Sequence, residues 1–171
     1  MKPNAITKFI DSLRTAFEAG DDQAVHKDLE SRNVTELQGH YQALARGDFA
    51  AVLNLFADDI EFEIIGPPAI PFVGRWRGKE QVAQAIKNNF ALVENQQPEV
   101  QELVAQGDTV IVVARERGLY RPTGRPYDVH WVQVHTFRDG KLVRFREYFD
   151  SSAMIDAVCA PASSATVGSS P

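Results

Sequence analysis

The residues Lys141 to Phe149 read KLVRFREYF, and strand alternation puts Val143, Phe145, Glu147 and Phe149 on one face with Arg144, Arg146 and Tyr148 on the other. Glu147 is then a carboxylate on an otherwise apolar face. Burial there would raise its proton affinity and suit it to acid–base work, whereas a neighbouring arginine would hold it ionised. In the preceding stretch, YDVHWVQVHTF, the residues Trp131, Gln133, His135 and Phe137 share one face. One stretch earlier, TVIVVARERGLY sets Arg115 and Arg117 on one face and Glu116 on the opposite one. The expected inward constellation is Arg115, Arg117, Gln133, His135 and Glu147, walled by Phe62, Ile64, Trp131 and Phe145. In such a site Glu147 would shuttle a proton, the arginines would stabilise a developing enolate or carboxylate, and His135 or Gln133 would donate hydrogen bonds. A guanidinium pair would also grip an anionic group on a ligand. The same residues have a purely structural reading as a buried Glu–Arg ion-pair network.

Other chemistry is thinly represented. His40 and Tyr41 sit side by side on a helix, where one of the two would face the cavity, and Phe72 and Trp76 could line its mouth. His130 and His135 point to opposite faces of one strand, and nothing completes a metal set at ligand spacing. No GxSxG occurs, Cys159 is the only cysteine, and GPP and PTG read as turns. No metal or other cofactor is expected.

The elements that must position these residues follow from periodicity. Ile6, Phe9, Ile10, Leu13 and Phe17 recur at helical spacing from Ala5 to Ala19, and the charged stretch DDQAVHKDLESRNV reads as a connector. TELQGHYQALARGDFAAVLNLFADD reads as two helices broken at Gly47, with Asp48 capping the second. IEFEII alternates as a strand with Phe62 and Ile64 inward, and GKEQVAQAIKNNFALV is a third core helix. Four long strands then follow with short turns between them, an antiparallel meander, and SAMIDAV reads as a last short helix. APASSATVGSSP has the composition of a disordered tail.

The 171 residues, 44% hydrophobic and 24% charged, suit one globular domain with a core large enough to enclose a cavity. The net charge of −5 is interspersed and no Lys/Arg run could track a phosphate backbone, so nucleic acid is not an expected partner. No apolar run approaches the roughly 20 residues of a membrane helix, and Asp11 interrupts any signal-like start. No membrane partner and a cytoplasmic location are the expectation. Val132 and Val134, taken with Val110 and Val112, would form an outer apolar patch suited to a homodimer.

The pieces YQALARGDFAAVLNLFADDIEFE, GPPAIPFVGRWRGKEQV, QGDTVIVVARERG and RPTGRPYDVHWVQVHTFRDGKLVRFREYFD resemble, in order and spacing, the SnoaL-like branch of the NTF2-like superfamily. That group includes ketosteroid isomerases, polyketide cyclases and limonene epoxide hydrolases. The resemblance implies an α+β cone-shaped barrel, three core helices packed on a curved, mainly antiparallel sheet around an apolar pocket, and a homodimer through the outer sheet face. It divides the chain into a helical extension at 1–35, the domain at 36–159 and a tail at 160–171. Glu147 matches an acidic residue that works as acid or base in the hydrolases and cyclases, and Arg115 matches the hydrolase arginine. The other hydrolase aspartate falls on Arg117, and the groups that hold its water fall on Phe62 and Ile64, which argues against epoxide hydrolysis. The isomerase base falls on Ile64, its tyrosine near His40 and its second aspartate on Gln133, which argues against that mechanism too. The cyclase histidine aligns with Gln133, two residues from His135.

The expectation is therefore a pocket for a hydrophobic cyclic molecule, polyketide-, steroid- or terpenoid-like, with an anionic group as an option. Two readings stay open: isomerase-, cyclase- or lyase-like acid–base catalysis without a cofactor, or a non-catalytic ligand-binding or assembly module with a structural Glu–Arg pair.

Overall fold

A computed structural model describes residues 23–159. Val34, Leu37, Tyr41 and Leu44 recur at three- and four-residue intervals on one helix, α1 (Gln23–Ala45), whose inward side they form. The charged stretch expected as a connector is helical from Gln23 onward, and its polar residues have docking work to do. Glu30 Oε1 accepts from the Gly107 amide at 2.8 Å, and the fully buried Asn33 donates to the Gly107 carbonyl at 3.3 Å. Because these bonds reach a distant turn, the sequence around them shows charge without showing the contact that makes it helical. The helix crosses position 36 without a break. The expected helix from Ala5 to Ala19 and the tail at 160–171 lie outside the described residues.

Gly47, at φ 69°, ends the first helical segment, and Asp48 caps α2 (Phe49–Leu55) by accepting from the Ala51 amide at 3.1 Å. The second helix is shorter than expected. Phe56 already belongs to β1 (Phe56–Ile65), where Phe56, Ile60, Phe62 and Ile64 are buried. A short edge strand that periodicity did not disclose, β2 (Gly74–Arg77), pairs with β1 ahead of α3 (Lys79–Leu92). Then come β3 (Val93–Gln106), β4 (Thr109–Tyr120), β5 (Arg125–Arg138) and β6 (Lys141–Phe149), followed by α4 (Ser151–Cys159). Asp139 and Gly140, both with positive φ, make the two-residue turn from β5 to β6, as an Asp-Gly pair between alternating strands dictates.

The six strands form one curved sheet in the order β2-β1-β6-β5-β4-β3, antiparallel throughout except for the parallel β1–β6 pair. Among the described residues four helices and a mixed sheet make the expected α+β fold, but the sheet is open, with β2 and β3 as its edges, and does not close into a barrel. Register decides what faces the helices. Opposite Gln133 on β5 stand Val112 on β4 and Glu147 on β6; opposite Glu147 on β1 stands Ile64. Val110 and Val112, expected on the outer patch, are fully buried on this inner face, and the outward residues of β4 are Ile111 and Val113. Both faces of that strand are apolar, so alternation alone does not say which turns inward.

Candidate functional site

Three strands and one helix converge on Glu147. β5 brings Gln133 directly beside it, β1 brings Ile64, and Phe145 and Phe149 flank it on its own strand. α1 lays Tyr41 across the top. The Tyr41 hydroxyl donates to Gln133 Oε1 at 2.5 Å, and Gln133 Nε2 donates to Glu147 Oε2 at 2.6 Å. The amide thus accepts on one side, donates on the other, and fixes one carboxylate oxygen as an acceptor. Tyr41, Gln133 and Glu147 each keep partial exposure, while Phe62, Ile64, Trp131 and Phe145 around them are buried. The inner face is here an apolar wall that carries a short polar relay.

The electrostatics follow from that enclosure. Desolvation pushes the Glu147 carboxyl from an ordinary 4.5 up to about 7; the Gln133 hydrogen bond opposes the rise and the negative charge of Glu116 adds to it. Burial, and then the charge of Glu147, raise the Tyr41 hydroxyl, so it stays a proton-bearing donor. His135 is buried, its Nδ1–H aimed at the Val110 carbonyl at 3.3 Å; desolvation, then the nearby His40, lowers it to about 3. His40 is also buried, its ring 5.4 Å from that of Phe56, and burial lowers it to about 4. Both imidazoles are neutral near pH 7, which leaves the carboxyl as the group poised to exchange a proton there.

The expected residues divide into those that meet and those that do not. Tyr41, Gln133, His135 and Glu147 come together. Phe62 stacks on Phe145 at 4.3 Å between centroids, Trp76 lies 5.9 Å from Phe62, and Phe72 lies 5.7 Å from Phe149. Arg115 and Arg117 are elsewhere. They stand opposite His130 and Asp128 on the outer face, and Arg115 forms a bidentate pair with Asp128 at 2.7 and 2.5 Å, which raises the guanidinium and lowers the carboxylate. Arg117 reaches the same carboxylate at 3.6 Å. The inward constellation is corrected accordingly: among the described residues no arginine contacts Glu147, and neither a Glu147–Arg pair nor an arginine clamp for an anion stands beside it on the inner face.

The inward residue of that stretch is Glu116, which the sequence reading left aside. It accepts from the Tyr127 hydroxyl at 2.6 Å and from Gln96 at 3.0 Å. Gly118 makes this possible, because a Cβ there would lie 2.5 Å from the Tyr127 oxygen. Two open hollows of about 520 and 410 Å³ lie along the sheet, one lined by Arg117, Tyr127 and Asp128, the other by Arg75, Arg144 and Arg146 together with Phe62, Trp76 and Phe145. Size does not make either the site. Neither is lined by Glu147, and their carboxylates are largely taken up in exposed ion pairs with arginine. Among the described residues no group of three or more His, Cys, Asp or Glu side chains is placed to hold a metal, and no helix is long and apolar enough to cross a membrane.

The SnoaL-like domain profile matches residues 37–145, which is most of the described chain. The protein belongs to the SnoaL-like domain family. An NTF2-like protein from Burkholderia xenovorans LB400 is 34% identical with a TM-score of 0.70, the match covering 75% of this chain and 97% of that one. A protein assigned as a SnoaL-like polyketide cyclase from Jannaschia sp. CCS1 also superposes with a TM-score of 0.70, at 21% identity over 83% of this chain and 99% of that one. A protein with a ketosteroid isomerase-like fold from Catenulispora acidiphila, in complex with trimethylamine, is 20% identical with a TM-score of 0.62, covering 74% and 94%. No curated protein matches the chain in sequence. For this SnoaL-like protein the last two likenesses speak to the fold alone.

Proposed function

We propose that this SnoaL-like protein receives a hydrophobic cyclic molecule, of polyketide-, steroid- or terpenoid-like build, on its inner face, and that Glu147 moves a proton on it in isomerase- or cyclase-type chemistry. One observation carries the reading: a carboxyl enclosed by aromatic and aliphatic walls and pushed to about 7 can accept and release a proton near neutrality. Ligand rings would pack against Phe62, Trp131 and Phe145, while Gln133 holds the carboxylate oriented.

The direct test is hydrogen–deuterium exchange beside the carbonyl of cyclic ketones such as 2-tetralone, followed by NMR. Catalysed exchange should rise sigmoidally around pH 7 and fall about a hundredfold or more in Glu147→Gln. Exchange that is indifferent to Glu147 overturns the catalytic reading.

A non-catalytic binding module is the second reading, and a specific observation favours it. The Tyr41 hydroxyl donates to Gln133 and Gln133 donates one of its two amide hydrogens to Glu147, so the relay directs its donors toward the carboxylate rather than toward a developing oxyanion. Ligand binding that persists in Glu147→Gln without any exchange in the native protein would select this reading. In either case the outer stripe of Ile111, Val113, Val132 and Val134 suits a homodimer, which light scattering after size exclusion would register, and a cytoplasmic setting accords with the lone cysteine.

A further inference from the structure

The charges and hydrogen-bond valences of the inner face are lopsided. Its ionisable carboxyls are Glu147 and Glu116, and among the described residues neither forms an ion pair. No lysine or arginine is among the buried charged residues. Several donors near Glu147 are committed: Tyr41 gives its proton to Gln133, Gln133 gives one of its two amide hydrogens to Glu147, and His135 faces the Val110 carbonyl. Acceptor capacity remains unfilled. Gln133 engages one oxygen of Glu147, and His40 Nδ1, next to Tyr41 in sequence, is buried without a partner.

An anionic ligand group would therefore meet a second negative charge with no cationic side chain among the described inner-face residues to offset it. A group that is cationic and donates hydrogen bonds would meet the opposite: an unpaired carboxylate, flanked on its own strand by Phe145 and Phe149 and diagonally by Trp131. We infer that the inner face selects ligands whose hydrophobic ring body carries a protonated amine, the ammonium donating to Glu147 between these aromatic rings. The inference rests on the inner face being the ligand site and names the head group that site takes. The other titratable groups facing this space are Glu116 from β4, Tyr127 and His135 from β5, and His40 and Tyr41 from α1. β1 contributes only Phe62 and Ile64. With both histidines neutral above about 4, binding should track the ionisation of Glu147 and weaken as the pH falls through about 7.

Benzylamine, benzyl alcohol and benzoate share a ring and differ in head-group charge, so calorimetry with the three probes on the full chain decides the matter. At about pH 8 benzylammonium should bind about tenfold more tightly than benzyl alcohol, with benzoate weaker than both. In Glu147→Gln that advantage should vanish while benzyl alcohol still binds, and the Gln133 amide and Trp131 indole resonances should report the site. Benzyl alcohol binding with no ammonium preference overturns the head-group assignment and leaves the hydrophobic site standing. Benzoate binding as tightly as benzylammonium, or an ammonium advantage that survives Glu147→Gln, also overturns it. Failure of all three to perturb Gln133 or Trp131 overturns both the inference and the reading beneath it.

Discussion

The two faces of this sheet use the same residue types to opposite ends. Along β6, Arg144 and Arg146 point outward and Glu147 points inward, a difference of one residue in register. Outside, the pairing of β2, β1 and β6 sets Arg75, Glu63 and Arg146 in one row and Arg77, Glu61 and Arg144 in the next. Glu63 bonds Arg75, and Glu61 accepts from Arg144 at 2.9 Å, all in contact with water. Inside, Glu147 has an amide for a partner and hydrocarbon for surroundings. Water and counter-charges surround the outer carboxylates, whereas their removal makes the inner one titratable near neutrality.

If that contrast is right, substitutions on the two faces should differ in size and in their response to pH and salt. The largest loss is expected for Phe145→Ala, which removes a ring stacked on Phe62 from a buried wall: about 3–5 kcal/mol in urea unfolding. A loss below about 1 kcal/mol would mean that the inner wall is not packed.

Next comes the pH dependence of stability. The Glu147 carboxyl binds its proton more tightly folded, at about 7, than unfolded, at 4.5, so its contribution is present at low pH and lost as pH rises through about 7. The loss is on the order of 3 kcal/mol, and Glu147→Gln should abolish the decline in stability between 6.5 and about 7. His40 and His135 act in the opposite sense. Their lowered values mean stability is present above 6.5 and is lost as pH falls toward 4 and 3. The two limbs overlap between 4.5 and 6.5, where two histidines outweigh one carboxyl, so the native protein should be most stable near 6.5 and Glu147→Gln should steepen the acid limb above 4.5.

A smaller effect is expected for Tyr127→Phe, which takes one of two donors from Glu116 and should cost about 1–2 kcal/mol. The smallest should come from outside. Arg144→Ala or Glu61→Gln ought to cost less than about 1 kcal/mol and lose most of that effect at high salt. An outer pair worth as much as the Glu147 effect would erase the distinction between the faces.

Much of this was legible from alternation. The positions of Glu147, Gln133, His135, Trp131, Phe62 and Ile64 follow from strands in which one face is clearly the apolar one. β4 is where that logic ran out, because Val110 and Val112 are as apolar as Ile111 and Val113. Counting back from the turn would have helped: with Tyr120 opposite Arg125, Arg115 falls opposite His130 and Arg117 opposite Asp128, on the face away from Gln133. That count places Glu116 inward. The hydrogen bonds of Glu30 and Asn33 to Gly107 are distant in sequence and leave no local trace, so a docked helix read as a connector.

The central claim is that Glu147 titrates near neutrality because the inner face withholds water and counter-charge from it. Carbon-13 NMR of the glutamate side-chain carboxyls, with Glu147→Gln used to assign the resonance, measures this directly. A midpoint near 7 is expected; a midpoint at or below the ordinary 4.5 would contradict the account.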